Sequence, residues 1–261
     1  MNVRRLYLGS IAGPLGPATP FNGYLIDHPG GLTLVDTGFG TSLALLGGAG
    51  PDEVDASAGA FTFGEKTYPW IRRTTPEALL DHGIEPGDVK YIINTHVGDH
   101  SGDNHLFPNA TFIIQQPEVN WTRAKASTSP LRIEEWDFPG AKLELLQGED
   151  VEVLPGLKCI FTPGHTPGHQ SVLYESDGRK MLFCGDAAYT NEIFDNPEMV
   201  QPNTELYYLQ IQSGERGLEM FKESVAKLKS LDADEVYFAH DANYRLCNAG
   251  HVHVSNAACH H

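Results

Sequence analysis

The feature that most constrains this chain is where its histidines fall. Five of the twelve (His96, His100, His165, His169 and His240) sit at or just after the ends of short apolar, β-branched runs. A turn that directly follows a strand can aim imidazole and carboxylate groups at one point. A fold that uses these residues together must therefore bring several strand ends to a common rim.

The runs themselves are short and sharply bounded. Val3–Leu8, Tyr24–Asp27 and Leu32–Asp36 read as strands, with a hairpin turn at Gly30-Gly31. Val89–Thr95, Thr111–Gln115, Leu143–Gln147, Leu157–Thr162, Ser171–Glu175, Lys180–Cys184 and Val236–Ala239 follow. Thr75-Pro76-Glu77 opens a helix through His82, with Thr75 as the expected N-cap and Gly83 as the stop. Pro117–Lys125 reads as a short helix. Gly217–Leu231 is the clearest one, because Leu218, Phe221, Val225 and Leu228 form an apolar stripe. Residues 47–73 are rich in Gly, Ala and Asp and read as a long loop carrying Phe61, Phe63, Tyr68 and Trp70. Such a loop is either a lid or substrate wall, or the cover of a satellite core. No repeat or linker divides the chain. The order of elements predicts an α/β fold, an αββα sandwich of two mixed β-sheets flanked by helices, as one domain over residues 1–261.

Charge narrows the function. There are 34 acidic against 18 basic residues, a formal net charge of −16. That field repels nucleic acid and anionic lipid, and suits a small neutral substrate or a metal cation. The four cysteines (Cys159, Cys184, Cys247 and Cys259) form no C-x-x-C pair, which fits reduced thiols in a cytoplasmic protein. No leader pattern precedes Val3, and no apolar run approaches the ~20 residues that span a bilayer. His251 and His253 lie in the tail; His260 and His261 are a tag or a native end and are set aside.

Four strand-end clusters carry the chemistry. THVGDH, Thr95–His100, packs His96, Asp99 and His100 into one turn, an arrangement hard to explain without a cation. TPGHTPGH, Thr162–His169, turns sharply twice and presents His165 and His169, of which one is the expected ligand and the other a supporting or packing residue. FCGDAAYT, Phe183–Thr190, ends a strand on Asp186, a carboxylate placed to bridge two ions. YFAHD, Tyr237–Asp241, ends another on His240. Gly-Asp or a lone His after a strand is weak evidence by itself; four such ends together are strong.

LTLVDTGFG, INTHVGDHSGDN, TPGHTPGHQSVLY, LFCGDAAYT and YFAHD together resemble the metallo-β-lactamase fold superfamily over nearly the whole chain. Within it, GDAAYT, with Tyr189 three residues after Asp186, is most similar to the quorum-quenching N-acyl-homoserine lactonases. The resemblance implies that His96 and His165 bind one metal, that Asp99, His100 and His240 bind a second, and that Asp186 bridges them. It implies that Tyr189 points its hydroxyl at the substrate and that Asp36 supports the metal-binding loops. Zinc is the first expectation, as one or two ions, with iron, manganese or cobalt as alternatives.

The chain departs from the family motif His-x-His-x-Asp-His at one place. His96-Val97-Gly98-Asp99-His100 is one residue short and lacks the second histidine. The first metal site then binds weakly, or water or His105 fills the gap, or the loop reorganises around His96. Gly98 suits a shortened turn that needs a backbone conformation glycine reaches cheaply.

The expected reaction is opening of a lactone ester by a metal-bound hydroxide, because a cation lowers the pKa of bound water from 15.7 to about 7. A metal or Tyr189 steadies the oxyanion, and Asp99 passes a proton to the leaving alkoxide. Acyl-homoserine lactones head the substrates. Thioester or β-lactam hydrolysis is the competing enzyme class, and a non-catalytic metal- or ligand-binding member is the other alternative. Phe61, Phe63, Trp70 and the 194–208 stretch are expected to wall the pocket, with Tyr207 and Tyr208 either core or pocket.

Overall fold

The computed structural model describes residues 3–13, 16–39, 53–55, 60–63, 66–126, 136–241, 244–248 and 251–255. Strands β1 (Val3–Gly13), β2 (Gly16–His28), β3 (Gly31–Val35), β4 (Glu53–Asp55), β5 (Ala60–Phe63) and β6 (Lys66–Arg72) precede helix α1 (Thr75–Leu80). Then come β7 (Val89–Ile93), β8 (Thr111–Gln115), α2 (Gln116–Ala126), β9 (Lys142–Leu146), β10 (Val151–Leu154), β11 (Leu157–Phe161), β12 (Gln170–Ser176) and β13 (Arg179–Phe183). Helices α3 (Asn191–Asp195), α4 (Glu205–Gln210) and α5 (Gly217–Ser230) lead to β14 (Glu235–Tyr237), β15 (Tyr244–Asn248) and β16 (His251–Ser255).

One sheet runs β4-β5-β6-β1-β2-β3-β7-β8-β9 and the other β10-β11-β12-β13-β14-β15-β16. Both are mixed: β3-β7, β7-β8, β8-β9 and β13-β14 are parallel, and the remaining pairs antiparallel.

Side-chain alternation sorts the apolar residues into three layers, as a period of two requires. Val35, Ile93 and Ile113 of the first sheet meet Cys159, Val172, Tyr174, Met181 and Phe183 of the second, forming the core between the sheets. Their sequence neighbours Leu34, Ile92, Phe112 and Ile114 point the other way, onto Ala78 and Leu79 of α1 and Val119 of α2. On the far side, Leu173 and Leu182 pack on Phe221, Val225 and Leu228 of α5. This is the expected sandwich of two mixed sheets with helices outside. No helix among the described residues is long and apolar enough to cross a membrane.

Several boundaries differ from the expectations. The N-cap of α1 is Thr74, not Thr75: its hydroxyl accepts from Glu77 N while the Glu77 carboxylate takes the Thr74 N–H, a closed capping box. The stretch expected as a long loop contains β4, β5 and β6, and β6 pairs with β1. The side chains of Phe61, Phe63, Tyr68 and Trp70 lie outside the described residues, as do His260 and His261. Phe194 is buried in the outer core, its ring 5.7 Å from Phe238. Tyr207 packs partly against the same core, whereas Tyr208 is exposed.

Candidate metal centre

The parallel strands deliver the site. β3 ends in Asp36, β7 in the Thr95–His100 turn, β13 in the turn holding Asp186, and β14 in the segment holding His240. The β11-to-β12 connection adds His165. Neighbouring parallel strands end on the same edge, so residues far apart in sequence converge there.

Their ligand atoms form three overlapping groups: His96, His165 and Asp186; His100, Asp186 and His240; and His96, Asp99 and His100. Asp186 is the shared element. Its Oδ2 lies 3.5 Å from His165 Nε2 and 3.9 Å from His96 Nε2, and its Oδ1 lies 3.2 Å from His240 Nε2 and 3.4 Å from His100 Nε2. Asp186 is wholly buried, yet neither oxygen has a hydrogen-bond partner. A buried carboxylate with both oxygens unsatisfied is strongly disfavoured unless something else completes it.

The outer nitrogens show what that is. Nδ1 of His165 donates to Gln210 O at 3.1 Å, and Nδ1 of His240 to Pro20 O at 2.9 Å. His100 Nδ1 faces Asp36 Oδ2 at 2.9 Å. The Thr95 hydroxyl donates to Asp36 Oδ2 at 2.8 Å, so its oxygen is left to accept from His96 Nδ1 at 3.2 Å. All four imidazoles are thus anchored through Nδ1 and turn Nε2 towards Asp186, the arrangement expected of metal ligands held by a supporting layer. The donor set fits one or two divalent cations, each half having two imidazoles and one Asp186 oxygen.

Without a cation the same groups share protons. Burial opposes charge on His100, but Asp186 and Asp36 outweigh it and raise its pKa to about 10. Burial pushes His165 down to about 4. Burial alone would raise the Asp186 carboxyl; the imidazoles, His100 and His240 foremost, hold it well below the usual carboxylate range.

The expected ligands are therefore brought together, with one adjustment. Asp99 groups with His96 and His100, and its Oδ1 takes the His96 Nε2 contact at 3.2 Å. His169 is the supporting member of its pair: its Nε2 accepts from Asp186 N at 2.9 Å, so it is not turned to a metal. His105 is exposed on a short turn and joins none of the three groups. Gly98 takes φ 124°, as the shortened turn demands. The Tyr189 ring stands 4.8 Å from that of His240 and 5.6 Å from that of His165, and its hydroxyl donates to Leu209 O at 2.9 Å.

Sequence reading missed two supports. Gln210 offers its carbonyl to His165 and its side-chain amide to Asp186 O. Glu118, wholly buried, accepts from Val97 N, the Thr166 hydroxyl and Gly168 N. A glutamate in the first turn of a helix that directly follows a buried strand is the one signal that could have marked Glu118.

Residues 17–240 match the metallo-beta-lactamase superfamily. An N-acyl homoserine lactonase from Bacillus sp is 32% identical over 224 residues, covering 84% of this chain and 80% of the relative. One from Bacillus cereus is 30% identical over the same shares. Among solved structures, an N-acyl homoserine lactone hydrolase with N-hexanoyl-L-homoserine at its catalytic metal center is 26% identical, with a TM-score of 0.66 over 92% of this chain and 94% of that one. A structure of a B. thuringiensis AiiA mutant with N-decanoyl-L-homoserine bound at the active site aligns with the same identity, TM-score and coverage. The His and Asp side chains gathered at the strand ends, the buried Asp186 among them and this match over most of the chain agree, and the chain belongs to the metallo-β-lactamase superfamily.

Proposed function

We propose that the chain is a metal-dependent hydrolase that opens the ester of a lactone ring, with N-acyl homoserine lactones as the leading substrate class. The observation that carries this reading is Asp186, buried, with both oxygens unsatisfied between two pairs of imidazoles. The kinship with lactonases supports the substrate class.

His96, His165 and Asp186 would hold one ion and His100, His240 and Asp186 the other, with Asp99 grouped with His96 and His100. Zinc is the first choice for two imidazoles and a carboxylate oxygen in each half. When bound, the cation supplies Lewis acidity and lowers the pKa of water. Asp99, with a side chain 17% exposed, is the one carboxylate of the cluster open to solvent. It is the group placed to take a proton from the attacking water and deliver it to the leaving alkoxide. Burial and the nearby carboxylates of Asp186 and Asp99 raise the Tyr189 phenol well above its usual range, so Tyr189 acts as a hydrogen-bond donor, not a base. Cys159 and Cys184, free and buried, support a reducing, cytoplasmic setting.

The test is acid release by chain reconstituted separately with zinc, manganese, cobalt or iron. The panel is N-hexanoyl and N-decanoyl homoserine lactone, a thioester and a β-lactam. Lactone opening that is lost in Asp186→Ala is expected. Turnover of only the thioester or the β-lactam replaces the lactone reading, and no turnover with any metal favours a non-catalytic binder.

A further inference from the structure

The two halves of the centre are built differently behind the ligands. His100 leans on the Asp36 carboxylate and His240 on the Pro20 carbonyl. His96 and His165 lean on the Thr95 hydroxyl and the Gln210 carbonyl, and their half depends further on where two loops are held relative to each other. One loop is the shortened turn, which has one imidazole where the family motif has two.

Glu118 of α2 joins those loops. Its Oε1 accepts from Val97 N at 3.1 Å, and its Oε2 accepts from the Thr166 hydroxyl at 2.6 Å and Gly168 N at 3.1 Å. Val97 follows His96, and Thr166 follows His165. Each imidazole of this half is therefore one residue from a bond to the same fully buried carboxylate. The approach is tight: a Cβ at Gly168 would stand 2.0 Å from Glu118 N. His100 is reached by a different carboxylate, Asp36, and His240 by the Pro20 carbonyl.

We propose that Glu118 is the positioning residue of the His96–His165 half, setting the spacing of its two imidazoles and so deciding whether that half holds an ion. The proposal rests on the reading of the cluster as a metal centre. It goes further in assigning Glu118 to one half only. With three donors pointing at it, a carboxylate satisfies all three at once. A carboxamide of the same shape puts an N–H against at least one donor and releases one loop.

The experiment titrates Co(II) into chelator-stripped wild-type chain, Glu118→Gln and Thr166→Val, following heat and the cobalt d–d spectrum. His96→Ala and His100→Ala identify which binding event belongs to which half. In Glu118→Gln the His96-dependent event should weaken about 10- to 100-fold while the His100-dependent event keeps its affinity. Thr166→Val, which removes one of the three bonds and keeps the shape, should shift the same event in the same direction by less. Equal weakening of both events in the two variants, or no change in either, overturns the assignment. If Glu118→Gln does not fold, Thr166→Val decides alone. Absence of any Co(II) binding by the wild type overturns both the assignment and the metal-centre reading. Two wild-type events that ignore Glu118 and Thr166 overturn the assignment alone.

Discussion

Asp36 Oδ2 lies 2.9 Å from His100 Nδ1, and Asp36 makes that contact from a left-handed backbone conformation, φ 64°. The same carboxylate takes Thr95 N at 2.7 Å and the Thr95 hydroxyl at 2.8 Å. One buried side chain thus holds the backbone before His96 and the ring of His100. Its backbone is strained for an ordinary side chain but tolerable for Asp or Asn.

Asp36→Asn should keep the fold, because Asn accepts the left-handed conformation and still offers one acceptor oxygen. It removes the negative charge behind His100, so zinc affinity should fall about 10- to 100-fold. Competition for zinc against a chelating dye reads this directly. Unchanged affinity would mean that Asp36 serves only the β3 turn.

Glycine contacts give a paired prediction on stability. At Gly164, φ is 146° and an added Cβ would lie 2.5 Å from the Phe221 backbone in α5. At Gly178, φ is 72° and nothing stands within 4 Å. Gly178→Ala should therefore lose only the conformational term, about 1–2 kcal/mol. Gly164→Ala should lose that and a further ~1–3 kcal/mol of overpacking, because α5 or the His165 loop must move. Urea unfolding of the two variants side by side checks the ranking.

The strands of the inter-sheet core and the His and Asp clusters at their ends were legible because both leave local signals, whereas β4, β5, β6, β10, β15 and β16 were not read as strands. Asp36 was expected as a support, but Glu118 and Gln210 were not. Glu118 and Gln210 sit in ordinary helical sequence, and their roles arise from which loops α2 and α4 happen to face. His165 and His169 share the same Pro-Gly-His context, so their local sequence does not separate them; His165 Nε2 faces Asp186 Oδ2, whereas His169 Nε2 accepts from Asp186 N. The burial of Phe194 against Phe238 is a tertiary fact with no local signal. Thr74 and Thr75 compete for the same cap, and the closed box with Glu77 decides for Thr74.

The stability of the metal-free chain should peak near pH 6.5. His100 is raised to about 10, so its stabilisation is full below the unfolded value of about 6.5 and is lost as pH climbs towards 10. His165 is lowered to about 4, so its neutral ring favours the fold above about 6.5 and that benefit is lost as pH falls towards 4. A divalent cation replaces the His100 proton and should flatten the alkaline limb. Thermal melts from pH 4 to 10, with chelator and with zinc, measure both limbs. A chelated chain whose melting temperature rises steadily to pH 10 would contradict the charge placed on His100.

Tyr189→Phe separates two roles of one hydroxyl. In the structure the hydroxyl donates to Leu209 O, the residue before Gln210, which in turn carries His165. To serve a developing oxyanion, Tyr189 must give up that bond, which offsets about 0.5–1.5 kcal/mol of what it supplies. A fully committed oxyanion donor contributes about 10²–10³ in kcat, so removal of the Tyr189 hydroxyl should lower kcat for a lactone by about tenfold. Metal content should not change, since the ring contacts with His165 and His240 remain in the phenylalanine variant. Steady-state rates on N-hexanoyl homoserine lactone, with zinc counted in the same samples, decide between the roles. A fall in metal content with kcat per bound ion intact would show that the hydroxyl works through α4 and His165, and that substrate contact is not its task.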